Sequence, residues 1–129
     1  MEVKTHLKVN RELSGEPLSL EEGRALVKLK TSPVMAADDK GLVHGGFLFS
    51  SADFCAMLTI NKPNVVLGSA TVKFLRPVVV GQEVIFEGRL PRREGKKWIV
   101  RVVGSRGGEE VFEGEFVCFV PERHVLEKP

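Results

Sequence analysis

The sequence predicts an α+β domain, one long central helix wrapped by a curved antiparallel β-sheet, on three observations. From residue 46 to about 61 nearly every side chain is apolar or small, which reads as a core helix. Beyond Pro63 the chain is a succession of runs rich in Val, Ile and Phe, separated by turn residues, which is the pattern of strands. A single helix of this apolarity has to be covered, and the concave face of an antiparallel sheet is the natural cover.

The elements follow in order. Ala25-Leu26-Val27-Lys28-Leu29-Lys30-Thr31 alternates apolar and polar residues toward its end and stops short of Pro33, giving a first strand. A loop from 36 to 43 leads into the helix, and Pro63 marks its end. Four strands are expected at 65–75, 83–90, 98–105 and 111–120. Gly81 after Pro77, the polar corner Arg92-Arg93-Glu94-Gly95, and Gly107-Gly108 separate them. The order is therefore strand, helix, then four successive antiparallel strands, in one domain spanning 1–129 with a core at about 25–120 and an extension at each end. Such a sheet leaves an edge strand open, and edge-to-edge pairing of two copies protects it.

Composition narrows the function. With 129 residues, 43% hydrophobic and 28% charged, the chain is expected to form one core. Its 19 basic and 17 acidic residues give a net charge of +2, close to balanced, and nothing in it suggests the broad basic surface that nucleic-acid binding requires. Cys55 and Cys118 sit in apolar runs without metal-ligand spacing and read as buried free thiols. The first residues, Met1 to His6, lack an apolar signal core, and no run approaches the roughly 18 apolar residues of a membrane span. A reducing, cytoplasmic setting is the expectation. The absence of tyrosine, a single glutamine (Gln82), and abundant Lys, Arg, Glu and Val match a heat-adapted composition.

Chemistry concentrates at Gly41-Leu42-Val43-His44-Gly45-Gly46-Phe47-Leu48-Phe49-Ser50-Ser51-Ala52-Asp53. The first N–H groups of a helix lack internal partners and carry the positive end of its dipole, and Gly45 and Gly46 have no side chains to obstruct approach. The pair either polarises a carbonyl oxygen against the Gly46 N–H or serves only the tight turn into the helix. Asp53 falls on the same helix face as Gly46, beside Phe49, Ala56, Met57 and Ile60, at about 100° per residue. Burying an unpaired carboxylate costs several kcal/mol, so Asp53 is either satisfied by a partner or used. Seven residues at about 1.5 Å rise put it some 10 Å from Gly46, too far for both to act on one carbonyl. If both are catalytic, Gly46 of one subunit faces Asp53 of another.

His44-Gly45-Gly46, Ala52-Asp53 and Phe74-Leu75-Arg76-Pro77 with Gly81 resemble the hotdog-fold thioesterase superfamily over roughly 25–120. The closest resemblance is to the phenylacetic-acid-degradation type of acyl-CoA thioesterase, which has His-Gly-Gly and then Asp seven residues after the last glycine. The resemblance implies that the Gly46 amide polarises the thioester carbonyl, that His44 positions this group, and that Asp53 of the partner chain is nucleophile or general base. It implies a dimer or tetramer with sites at subunit interfaces, and no metal or organic cofactor, coenzyme A being part of the substrate. Asp38 replaces the Asn that many relatives carry six residues before the motif histidine, and a carboxylate does not donate a hydrogen bond unless protonated. Where relatives place a Ser or Thr to orient water, this chain reads Val66-Leu67-Gly68, with Ser69 and Thr71 the nearest hydroxyls.

Gly45, Asp38, Phe47, Ser69 and Arg76 complete the expected substrate-binding set. Phe49, Phe54 and Met57, like Phe47, either border an acyl pocket or pack the core. His44 either acts on the substrate or fixes the loop, while His6 and His124 fall in terminal segments without a role. The corner Arg89, Arg92, Arg93, Lys96 and Lys97, with Lys73 and Arg76, either meets coenzyme A phosphates or is simply solvated. Hydrolysis of a small, aryl or medium-chain acyl-CoA is the leading reading. An acyl-CoA-binding protein without catalysis is the second, although such regulators usually add a DNA-binding domain that 129 residues do not accommodate. A hydratase using Asp39 with His44 is the third.

Overall fold

The computed structural model describes residues 1–127. A short helix α1 (Arg11–Ser14) precedes strands β1 (Glu16–Glu21) and β2 (Arg24–Lys30), and a 3-10 turn at Pro33–Met35 opens the loop to the long helix α2 (Gly45–Ile60). Strands β3 (Val66–Phe74), β4 (Glu83–Glu94), β5 (Lys97–Arg106) and β6 (Glu109–Phe119) follow. All six form one antiparallel sheet in the order β1-β2-β4-β5-β6-β3.

Helix α2 begins and ends as its sequence dictates. His44 is its N-cap and Asn61 closes it in the left-handed conformation, φ 52°, with its N–H on the Met57 carbonyl at 2.8 Å. The Asn61 side chain also accepts from Lys4 N and donates to the Glu2 carbonyl, both at 2.8 Å, which stitches the first residues to the helix end. From Phe54 to Ile60 every residue is buried, against Val27, Leu29, Phe86, Val100 and Val102 of the sheet. Gly88 makes this close approach possible, because a Cβ there would meet Thr59 Oγ1 at 2.1 Å. Rings of Phe74, Phe112 and Phe86 form a chain of edge-on contacts at 5.3 and 5.7 Å between centroids. No helix among the described residues is long and apolar enough to cross a membrane.

Four expectations are corrected. The segment before Ala25 is not a bare extension: it supplies α1 and an edge strand, hidden in the sequence by Pro17 and by glutamates at 16 and 21, and Pro is tolerated on an edge. The last four strands are not successive neighbours, since β3 lies beyond β6 and β2 pairs with β4. Alternation reports faces, not neighbours, so the sequence carries no signal for this order. The polar corner contracts to a two-residue turn at Gly95-Lys96, with Arg92, Arg93 and Glu94 in β4. Finally, α2 is not covered on every side: Gly46 is exposed, and Phe47, Phe49, Ser50 and Asp53 are only partly buried.

Candidate active site

The N-terminus of α2 is fixed by the loop before it. His44 N–H donates to the Met35 carbonyl and Val43 N–H to the Val78 carbonyl, each at 2.8 Å, so the chain is pinned on both sides as it turns into the helix. The His44 ring makes no capping hydrogen bond. It folds over the first turn instead, edge-on to half-exposed Phe47 at 6.1 Å, and a Cβ on Gly46 would stand 2.9 Å from its Nε2. Glycine at 46 therefore leaves the imidazole beside an exposed first-turn amide that has no intrahelical acceptor. The Phe74 ring lies against Gly45, and a cleft of ≈ 260 Å³ opens between Leu42, Gly45, Leu48, Phe74 and Arg76.

Asp53 lies two turns along the same helix. Its Oδ1 is buried without a hydrogen-bond partner among the described residues. Burial pushes its pKa from 3.8 up to about 6. The carboxylate is close enough to Cys118 of β6 to help hold that thiol at about 12, behind the larger effect of the thiol's own burial. Phe49, one turn before, packs on Phe116 of β6 at 5.7 Å. Gly46, Phe49 and Asp53 thus share the helix face turned toward β6 and the sheet edge at β3, where Ala70 and Val72 are half-exposed. The sequence contained Asp53 as a misfit in an apolar helix; it held no signal for its closeness to Cys118. Both cysteines are free and buried, and burial takes Cys55 to about 12 as well.

The remaining expected residues are distributed unevenly. Asp38 is exposed, and its Oδ1 accepts from the N–H groups of Lys40 at 2.9 Å and Leu42 at 3.2 Å, so it shapes the loop before the helix. Ser69 and Thr71 pair in register with Val117 and Glu115. Ala70 and Val72 pair with the buried Phe116 and Gly114, so the two hydroxyls face away from α2 of their own chain. The register shift between Leu67 and Ser69 sets this phase. Arg76 donates to the Glu110 carbonyl at 2.5 Å and pairs with Glu109 at 3.5 Å, at the mouth of the cleft beside Gly45. Phe54 and Met57 belong to the core.

A single long helix held in one wrapped antiparallel sheet is the hotdog fold. The family description "thioesterase superfamily" matches residues 40–113, more than half of the chain, and the protein belongs to that superfamily. It is 56% identical over 116 residues to a protein of Aquifex aeolicus named methylthioribose-1-phosphate isomerase, covering 90% of this chain and 25% of that one. It is 30% identical over 119 residues to the transcription factor FapR of Caldanaerobacter subterraneus, covering 91% of this chain and 59% of FapR. The chain thus spans about a quarter and about three-fifths of these two relatives. Among solved structures, the uncharacterized protein PH1136 of Pyrococcus horikoshii is 47% identical with a TM-score of 0.96, covering 98% of both chains. A Streptococcus mutans protein bound to acetyl CoA shares the fold at 20% identity and a TM-score of 0.80, covering 93% of this chain and 99% of that one.

Proposed function

We propose that this protein hydrolyses acyl-CoA thioesters in a homodimer whose two sites each join Gly46 of one subunit to Asp53 of the other. The observation that carries the reading is Asp53, a carboxylate desolvated in the middle of a helix with a buried oxygen that no group among the described residues satisfies. A carboxyl with a pKa of about 6 is mostly ionised at neutral pH yet still basic enough to take a proton. The thioester oxygen lies against the Gly46 N–H, where the helix dipole favours the negative charge that grows there. Asp53 takes a proton from water as the hydroxyl adds to the carbonyl carbon, or attacks that carbon itself. The C–S bond then breaks, and coenzyme A leaves as the thiol, protonated by the acid form of Asp53 in the first route and by water in the second, where water then hydrolyses the acyl anhydride on Asp53 to the free acid and restores the carboxylate. Seven residues of helix separate the two groups by some 10 Å, which is why the second group comes from the partner. The outer edge of β3 is where two copies meet, aligning the open faces of their helices. Small, aryl or medium-chain acyl groups suit an apolar cleft of ≈ 260 Å³ beside Gly45. No metal or organic cofactor takes part in this scheme.

A second reading is supported by the similarity to FapR: a module that binds acyl-CoA without cleaving it. Free-thiol release from a panel of short, aryl and long acyl-CoA thioesters separates the two, run on the native protein, Asp53→Ala and Asp53→Asn. Turnover that collapses in both variants while the dimer persists supports hydrolysis. Binding of acyl-CoA without turnover by the native protein supports the binding module.

A further inference from the structure

Away from the helix N-terminus, the β4–β5 hairpin places an aromatic surface and two unpaired cations around one cavity. The Arg93 guanidinium lies 3.9 Å from the centroid of the Trp98 ring. Below them is a groove of ≈ 700 Å³ walled by Val66, Trp98, Phe119 and Val125, with Lys96 and Glu122 at its rim. Arg89 and Arg92 of the same hairpin are engaged, with Glu87 at 3.1 Å and with Glu94 and Glu115. Neither Arg93 nor Lys96 forms an ion pair among the described residues. An apolar floor with a half-buried indole and two cations that no carboxylate pairs with among the described residues matches a ligand that is flat and aromatic in one part and phosphorylated in another.

The groove connects to the candidate site through the sheet. Trp98 lies directly across from Cys118 in the β5–β6 ladder, so their side chains share a face. Two residues back on the same face of β6, Phe116 packs at 5.7 Å on Phe49, which lies one turn before Asp53 on α2.

We infer that Trp98, Arg93 and Lys96 hold the nucleotide half of the acyl-CoA, and therefore that the subunit supplying Asp53, rather than the one supplying Gly46, grips the adenosine phosphates. The inference rests on the acyl-CoA reading, and its test is separable from it. Trp98 is the one tryptophan and the chain has no tyrosine, so intrinsic fluorescence reports this position alone. Adenosine 3′,5′-bisphosphate, which lacks thioester and pantetheine, quenches that fluorescence saturably in the native protein. Arg93→Glu combined with Lys96→Glu weakens the binding by about tenfold or more, as loss and reversal of charge-assisted contacts requires. In the same double variant the KM for an acyl-CoA rises by a similar factor with kcat unchanged. The matching acyl-N-acetylcysteamine thioester, which carries no nucleotide, is hydrolysed as by the native protein. No quenching, quenching untouched by the charge reversal, or the same curve with inorganic phosphate alone overturns the assignment. An equal rise in KM for both thioesters overturns it too. If neither thioester is hydrolysed, the hydrolase reading fails, and the fluorescence titration still decides the nucleotide site.

Discussion

Replacing Asp53 by Asn should abolish turnover and at the same time make the protein more stable at neutral pH. The amide keeps the shape of the carboxylate and removes the charge that burial disfavours. Folding raises the Asp53 pKa from 3.8 to about 6, so the native state binds its proton more tightly than the unfolded chain does. Well below pH 3.8 the carboxyl is protonated in both states and burial costs little. As pH rises from about 4 to 6 the unfolded chain ionises first, and stability falls. Above pH 6 the full penalty is present, at most about 3 kcal/mol at 1.4 kcal/mol per pH unit. Scanning calorimetry at fixed protein concentration from pH 4 to 8 measures this. The variant's melting temperature should lie within about 2 °C of the native value near pH 4 and exceed it by roughly 10 °C above pH 7. Native hydrolysis should rise across the same interval, reaching half its maximum near pH 6, because only the ionised carboxylate takes up a proton. A variant no more stable than native at pH 7.5, or a gap independent of pH, refutes the claim that Asp53 is held desolvated at a cost to folding.

Three other outcomes are expected. Gly46→Ala puts a methyl group 2.9 Å from His44 Nε2, and displacing the ring or the first turn should lower kcat by about 100-fold while circular dichroism stays native. Mixing Gly46→Ala with Asp53→Ala subunits and allowing exchange should recover about a quarter of native activity, since half the dimers then carry one intact site of two; no recovery rules out a shared site. Gly88→Ala forces a Cβ to within 2.1 Å of Thr59 Oγ1 under the helix, and chemical denaturation should show a loss of about 1–3 kcal/mol.

The parts of this molecule that were legible in the sequence are those governed by local rules. Helix α2 was readable within a residue at each end, because the glycine pair, Asn61 and Pro63 act on their own segment of backbone. Asp53 stood out because a carboxylate inside an apolar helix has few explanations, and one of its oxygens is buried with no hydrogen-bond partner among the described residues. What required coordinates was pairing across distance. Strand β1 was hidden because its Pro and glutamates describe an edge rather than a strand, and β3 was placed next to β4 because sequence order was the only guide to neighbours. The hydroxyl at 69 was assigned a role at uncertain register, and the irregularity after Leu67 turns it outward. Likewise, Arg93 was one of five basic residues at a corner; the register shift between Arg89 and Arg92 is what brings it over Trp98.

The two borders of the sheet are chemically unlike each other. On the β1 side, Pro17 removes an amide, the ladder is irregular between Pro17 and Ser19, and exposed glutamates at 16 and 21 close the strand, so another chain finds no continuous row of donors and acceptors. Strand β3 has no proline, and beyond its irregularity between Leu67 and Ser69 it pairs without a break from Ser69 to Phe74. In the proposed dimer the β3 border pairs while the β1 border is blocked, so edge-to-edge addition cannot continue into a ribbon. When two copies join through β3, the sheet they create presents only blocked borders, and its addition reaction terminates itself. In the dimer proposed above, the stoichiometry of sheet pairing is thus capped at two, and any larger assembly has to form through faces rather than edges.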